Sequence, residues 1–221
     1  MFDRRSALRL GAGAAAGLTL AHTTFVPIAR ADPASAKLTD DGLHDQPWFE
    51  HTFLDLKEDA AEAHNQGKSL VVFFEQRGCP YCGEMHKVNL AKPEIVNFLK
   101  QHYFVVQLNL HGSRTVRDFD GTELEERKLA QRWHVNFTPT LVFFPPDPIT
   151  FAGKFGQDAE AWRLIGYWKP FHFMGTLVYV KERGYDLWHV TRVESGSPAT
   201  GSKSIHDQEL ADLMHRSFAP R

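Results

Sequence analysis

The apolar run SLVVFF, residues 69–74, passes through Glu75-Gln76-Arg77-Gly78 into Cys79-Pro80-Tyr81-Cys82, and a helix-like stretch follows to residue 90. The run is short, apolar and rich in β-favouring residues, so it reads as a buried strand. Proline has a fixed φ and no N–H, which suits the first position of a helix. A strand that turns straight into a helix commits the chain to a layered α/β arrangement. The alternation continues on both sides. Helical spacing is predicted over 48–66, where Phe49, Phe53, Leu56 and Ala60 recur and Gly67 follows. Pro93 opens another helical piece with Ile95, Val96 and Leu99 on one face, and 103–110 reads as a second strand. A polar stretch with an Asp120-Gly121 turn leads into a helix over 123–133. Residues 140–144 form a third strand, stopped by Pro145-Pro146-Asp147-Pro148, with a return strand expected over 149–155. Residues 159–167 and 171–183 are helical candidates. The pattern predicts a central mixed β-sheet flanked by α-helices and no internal repeat.

The chain of 221 residues is 43% hydrophobic and carries 17 Phe, enough to bury a core. Its formal net charge of −2 offers no electrostatic footprint for nucleic acid. Residues 1–31 read as an export signal. Arg4 and Arg5 give a basic start, a Gly/Ala-rich apolar stretch follows, and Ala29-Arg30-Ala31 is a small-x-small cleavage site. Asp3-Arg4-Arg5-Ser6-Ala7-Leu8-Arg9 resembles the twin-arginine export motif, which implies folding before transport. An uncleaved anchor fits less well, because a membrane span needs about 20 apolar residues. Loss of 1–31 removes four Arg and one Asp and leaves 21 basic and 26 acidic residues, net −5. The expected destination is the periplasm, where disulfides persist. Residues 32–47 read as a linker, 48–189 as one domain, and 190–221 as a loosely held tail with a short helix over 206–218.

Cys79 and Cys82 are the only cysteines. At this spacing on a first helical turn they are close enough to form a disulfide. Free backbone N–H groups there stabilise a thiolate, the species that attacks disulfides. Cys79 is then the nucleophile, and Cys82, one turn in and more buried, resolves the mixed disulfide. Other readings are open. A structural disulfide closing so small a loop stabilises little. Zinc needs about four ligands, and there is no second cysteine pair. Copper(I) accepts soft ligands at low coordination, and His86 completes a Cys-x2-Cys-x3-His set. His86 otherwise reads as a surface or partly packed histidine and Met85 as core.

Thr138-Pro139-Thr140 stands before the third strand. Together with Cys79-Pro80-Tyr81-Cys82 it resembles the thioredoxin superfamily, whose element order residues 48–183 follow. The resemblance implies that Pro139 is a cis-proline beside the cysteines and that Thr138 offers a backbone contact to the substrate, with Pro80 and Tyr81 lining the same groove. It also implies an inserted segment before the third main helix. The blocks FEQRGCPYCGEMHKVNLAKPEIVNFL, VVQLNLHGSR, DFDG and GYWKPFHFMGTLVYV resemble SoxW-type periplasmic thioredoxins of sulfur-oxidation systems.

The departures from ordinary thioredoxin are local. Gly78 replaces the usual Trp before the first cysteine, Phe73 the buried Asp, and Gln107 its Lys partner. Glu75, on the Phe73 face of an alternating strand, is either an exposed strand-end carboxylate or a buried substitute that shuttles the resolving cysteine's proton. The resemblance implies a reductant of protein disulfides with no cofactor beyond the Cys79–Cys82 disulfide and no metal. A cysteine-bearing carrier of sulfur oxidation is the expected client, a membrane thiol–disulfide transporter the electron source, and the monomer the working form. A disulfide oxidase or isomerase is the alternative within the class, and a copper-binding module the alternative outside it.

Overall fold

The structure, a computed structural model, describes residues 37–186. The predicted export signal and the C-terminal tail with its 206–218 helix lie outside the described residues. In chain order the elements begin with a hairpin of β1 (Lys37–Leu38) and β2 (His44–Asp45), then α1 (Leu56–Asn65) and β3 (Ser69–Glu75). Next come α2 (Pro80–Glu84), continued by a π-helical turn (Met85–Asn89), α3 (Pro93–His102) and β4 (Tyr103–Asn109). β5 (Thr115–Arg117) and β6 (Glu123–Glu125) precede α4 (Glu126–Arg132), β7 (Thr140–Phe143), β8 (Trp162–Ile165) and α5 (Pro170–Lys181).

The sheet is mixed, as predicted, with strand order β4-β3-β7-β8. β3 runs parallel to β4 and antiparallel to β7, and β7 runs antiparallel to β8. Strand β3 is buried on both faces, which explains its unbroken apolar sequence. Val71 and Phe73 enter one core with Met85, Leu99 and Phe173, while Leu70, Val72 and Phe74 enter the other with Leu129, Trp133 and Phe144. The inserted segment is the β5–β6 hairpin, set between β4 and α4.

Several stretches differ from their sequence reading. The helix predicted over 48–66 begins only at Leu56, because Asp55 caps it by accepting from the N–H groups of Lys57 and Glu58. Residues before it run extended, with Glu50 and Asp55 bridging to Val106 and Arg117. The return strand predicted over 149–155 is instead a 3₁₀ turn, Pro148–Phe151, which Asp147 starts by accepting from the Ile149 N–H. The strand that pairs with β7 is Trp162–Ile165, inside a stretch read as helical, where buried Trp162 and Leu164 alternate with less buried Arg163 and Ile165. Finally, residues 37–47, read as linker, form the β1–β2 hairpin and bury Leu43. No helix among the described residues is long and apolar enough to cross a membrane.

Candidate active site

The cysteines sit where β3 gives way to α2. Gly78 takes a φ of 71°, with open space around its Cβ position, so the backbone conformation itself selects glycine. This is the physical reason for the missing Trp. Cys79 is the N-cap of α2 and Pro80 its first residue. The pair is disulfide-bonded with a Cα–Cα separation of 5.2 Å. Cys79 is 5% exposed and Cys82 1%. Tyr81, between them, stands 62% exposed.

The Thr138-Pro139 peptide is cis. It lies against the Cys79 sulfur: Thr138 Oγ1 donates to Cys79 Sγ at 3.3 Å, and the Thr138 carbonyl oxygen is 3.6 Å away. The backbone N–H of Cys82 donates to the same sulfur at 3.1 Å. Two donors thus converge on Cys79 Sγ and none of the hydrogen bonds among the described residues ends on Cys82 Sγ, an asymmetry that favours negative charge on Cys79. Pro139 is held in turn by the Gly166 N–H, which donates to its carbonyl at 2.8 Å. Asn89, at the end of the π-turn, donates to the Trp168 carbonyl at 2.9 Å and ties the loop before α5 to the active-site helix. Phe137 and Trp168 are exposed beside these anchors.

Glu75 is 0% exposed, which rules out the reading of an exposed strand-end carboxylate. Its Oε1 is 3.1 Å from His86 Nε2, and its Oε2 accepts from Gln107 Nε2. Phe73 shares that face as expected and stacks on the His86 ring, with centroids 6.0 Å apart. The position of the missing Asp is therefore filled by an aromatic ring, and the acid stands one pleat further along the strand. Gln107 contacts this acid directly.

His86, read as a surface or partly packed residue, is 3% exposed. Its Nδ1 meets Gln46 Nε2 at 3.0 Å, so both ring nitrogens are engaged within the protein. A copper site of Cys79, Cys82 and His86 requires one of them to be freed. Among the described residues no group of three or more His, Cys, Asp or Glu is arranged to hold a metal ion. Met85 is core, as read. His44 also belongs to this cluster, its ring centroid 5.1 Å from that of His86, and burial followed by the His86 charge lowers its pKa from the ordinary histidine value. Sequence reasoning missed Gln46 and His44. His86 carried a usable signal, its one-turn spacing from Cys82.

The profile of a thioredoxin-like domain family matches residues 56–180. Among solved structures, the chain is similar to a thioredoxin from Thermus thermophilus at 28% identity, covering 59% of this chain and 86% of that one, with a TM-score of 0.45. A thioredoxin-fold protein from Helicobacter pylori aligns at 18% identity over 75% of this chain and 96% of that one, TM-score 0.44. The C-terminal domain of Neisseria meningitidis DsbD in its oxidised form aligns at 17% identity over 57% and 88%, TM-score 0.37. No curated protein matches the sequence.

Proposed function

The chain belongs to the thioredoxin-like domain family, and from that premise we propose that it is a thiol–disulfide oxidoreductase working as a reductant in the periplasm. The observation that carries this reading is the setting of Cys79 Sγ, which accepts from Cys82 N–H and Thr138 Oγ1 at the mouth of the site. In the reduced protein the same donors stabilise a Cys79 thiolate. That thiolate attacks a client disulfide and forms a mixed disulfide, and the client's other sulfur leaves as a thiolate. Cys82 then attacks Cys79 Sγ, closes the internal disulfide and frees the second client thiol. Pro80, Tyr81, Thr138 and Pro139 border the client, and Glu75 takes the Cys82 proton.

The SoxW-type resemblance supports a cysteine-bearing carrier of sulfur oxidation as client and a membrane thiol–disulfide transporter as the source of electrons. The protein acts as a monomer with no cofactor beyond its own disulfide.

The test is a trap. Cys82→Ala, expressed in the native periplasm, accumulates a mixed disulfide at Cys79 whose partner mass spectrometry identifies as the carrier. Disulfide reduction by the purified protein is abolished by Cys79→Ala. Failure to trap any partner under sulfur-oxidising growth, with reduction intact in Cys79→Ala, overturns the reading.

A further inference from the structure

The loop between β8 and α5, residues 166–169, is fastened at two points. Gly166, at a φ of 80°, donates its N–H to the Pro139 carbonyl at 2.8 Å, which joins one end of the loop to the cis-proline. Further along, the Trp168 carbonyl accepts from Asn89 Nδ2 at 2.9 Å. Asn89 closes the π-helical turn that continues α2 beyond Cys82. The loop therefore bridges the two elements that carry the cysteine pair and its cis-proline. Its own side chains part. Tyr167 is partly buried against the core that holds Phe173 and Leu177. Trp168 turns outward and is 40% exposed. Its ring is nonetheless held, because Nε1 donates to the Ile165 carbonyl at 3.2 Å and the ring lies edge-on to His172, with centroids 6.2 Å apart.

Asn89 is fully buried, and its Oδ1 has no hydrogen-bond partner among the described residues. A buried unpaired acceptor destabilises a fold, and a leucine would fill the same place without one. The one hydrogen bond made by the Asn89 side chain among the described residues is the bond to Trp168. What the amide contributes is thus the place where Trp168 stands. The π-turn that presents it is a local irregularity of a kind frequent at functional sites.

We propose that Asn89 is a positioning residue for client recognition: by holding the Trp168 carbonyl it fixes the Trp168 ring as an apolar contact for the client chain beside the disulfide under attack. The inference rests on the oxidoreductase reading above and adds to it a residue and a contact. A protein disulfide that reaches Cys79 brings its flanking chain past Thr138-Pro139, and the loop tied to Pro139 by Gly166 is continuous with that path. An indole already fixed there offers apolar area with little left to order on binding. Without the Asn89 bond the loop gains freedom that binding must remove. A small disulfide has no flanking chain and makes no use of the ring.

The experiment uses the full mature protein in its reduced form. Reoxidation of Cys79 and Cys82 is followed in a single turnover against rising insulin, a protein disulfide, or cystamine, a small one. Asn89→Leu raises the half-saturating insulin concentration roughly 5-fold or more and leaves the limiting rate within about 2-fold of wild type. Its rate with cystamine is unchanged. Trp168→Ala, at a partly exposed position, raises the insulin half-saturation likewise, and Asn89→Leu adds nothing further in that background. A folded Asn89→Leu with wild-type insulin dependence, additive losses in the double variant, or equal losses on insulin and cystamine with a lowered unfolding midpoint overturns the proposal. So does wild-type insulin dependence in Trp168→Ala, whether or not Asn89→Leu folds. A wild type that reduces neither disulfide sinks the oxidoreductase reading and the proposal with it; a wild type that reduces both, with the variants unchanged, sinks the proposal alone.

Discussion

Asp59 is buried in α1 with its carboxylate 3.1 Å from the Thr52 hydroxyl that donates to it. Burial raises its pKa from 3.8 to about 7 against the lowering effect of that hydrogen bond. Between those two values the unfolded chain gives up this proton while the native chain keeps it, so stability falls as pH rises through the window and levels off above it. Asp59→Asn keeps a partner for Thr52 and removes the charge. Urea unfolding should find the variant more stable than wild type by about 1–3 kcal/mol at pH 8, with the difference gone near pH 4; a pH-independent offset contradicts the assignment. At this scale the sequence exposes what local chemistry dictates. Cys79, Cys82, Pro80 and Thr138-Pro139 were legible because spacing and backbone restriction mark them. Glu75 was placed on the right face by strand alternation, but its burial was not, since that depends on His86 and Gln107 arriving from other elements. Gln46 carried no signal at all: its contact with His86 spans 40 residues.

The β5–β6 insertion is fastened by one side chain at the start of α4. Glu126 is fully buried and accepts from Asn109 N at 2.8 Å, Arg114 N at 3.2 Å and Arg114 Nη2 at 2.6 Å. Its carboxylate also lies against Gly112, where a Cβ has no room. Glu126→Ala leaves two backbone N–H groups without their acceptor and removes one of the two acceptors of the Arg114 guanidinium, at a cost of about 2–4 kcal/mol in chemical denaturation. A loss below about 0.5 kcal/mol, the range of ordinary surface substitutions, contradicts this role. Such fastenings explain which elements the sequence revealed. β3, β4, β7 and α3 follow from apolar period and proline placement. The 148–151 turn and β8 were misassigned because Asp147 capping outweighed a short apolar run, and because a four-residue strand in alternation looks like part of a helix face. Helix α1 starts late for the same kind of reason, a side-chain cap at Asp55.

Among the described residues, one sheet separates two cores, both rich in rings. On the face toward α4, Phe119 packs against Trp133, Phe144 and Phe151, while the face toward α2 admits the Glu75–His86 pair among its rings. β3 and β7 are interior strands with neighbours on both sides. Native-state hydrogen exchange should therefore be slowest at Val71, Val72 and Val142, at the free energy of global unfolding, and fastest in the two-residue strands of the β1–β2 hairpin. Exchange in the hairpin as slow as in β3 would show that it unfolds with the sheet. The Cys79 sulfur sits at the N-cap of the helix that follows an interior strand, whereas Tyr81 stands exposed on that helix and Phe137 and Trp168 stand exposed on two separate loops. On the proposed reading the two can vary independently: substitutions at those three positions would alter what the molecule touches while the buried frame that holds the cysteines stays as it is. A lineage carrying this fold could then change clients one surface residue at a time.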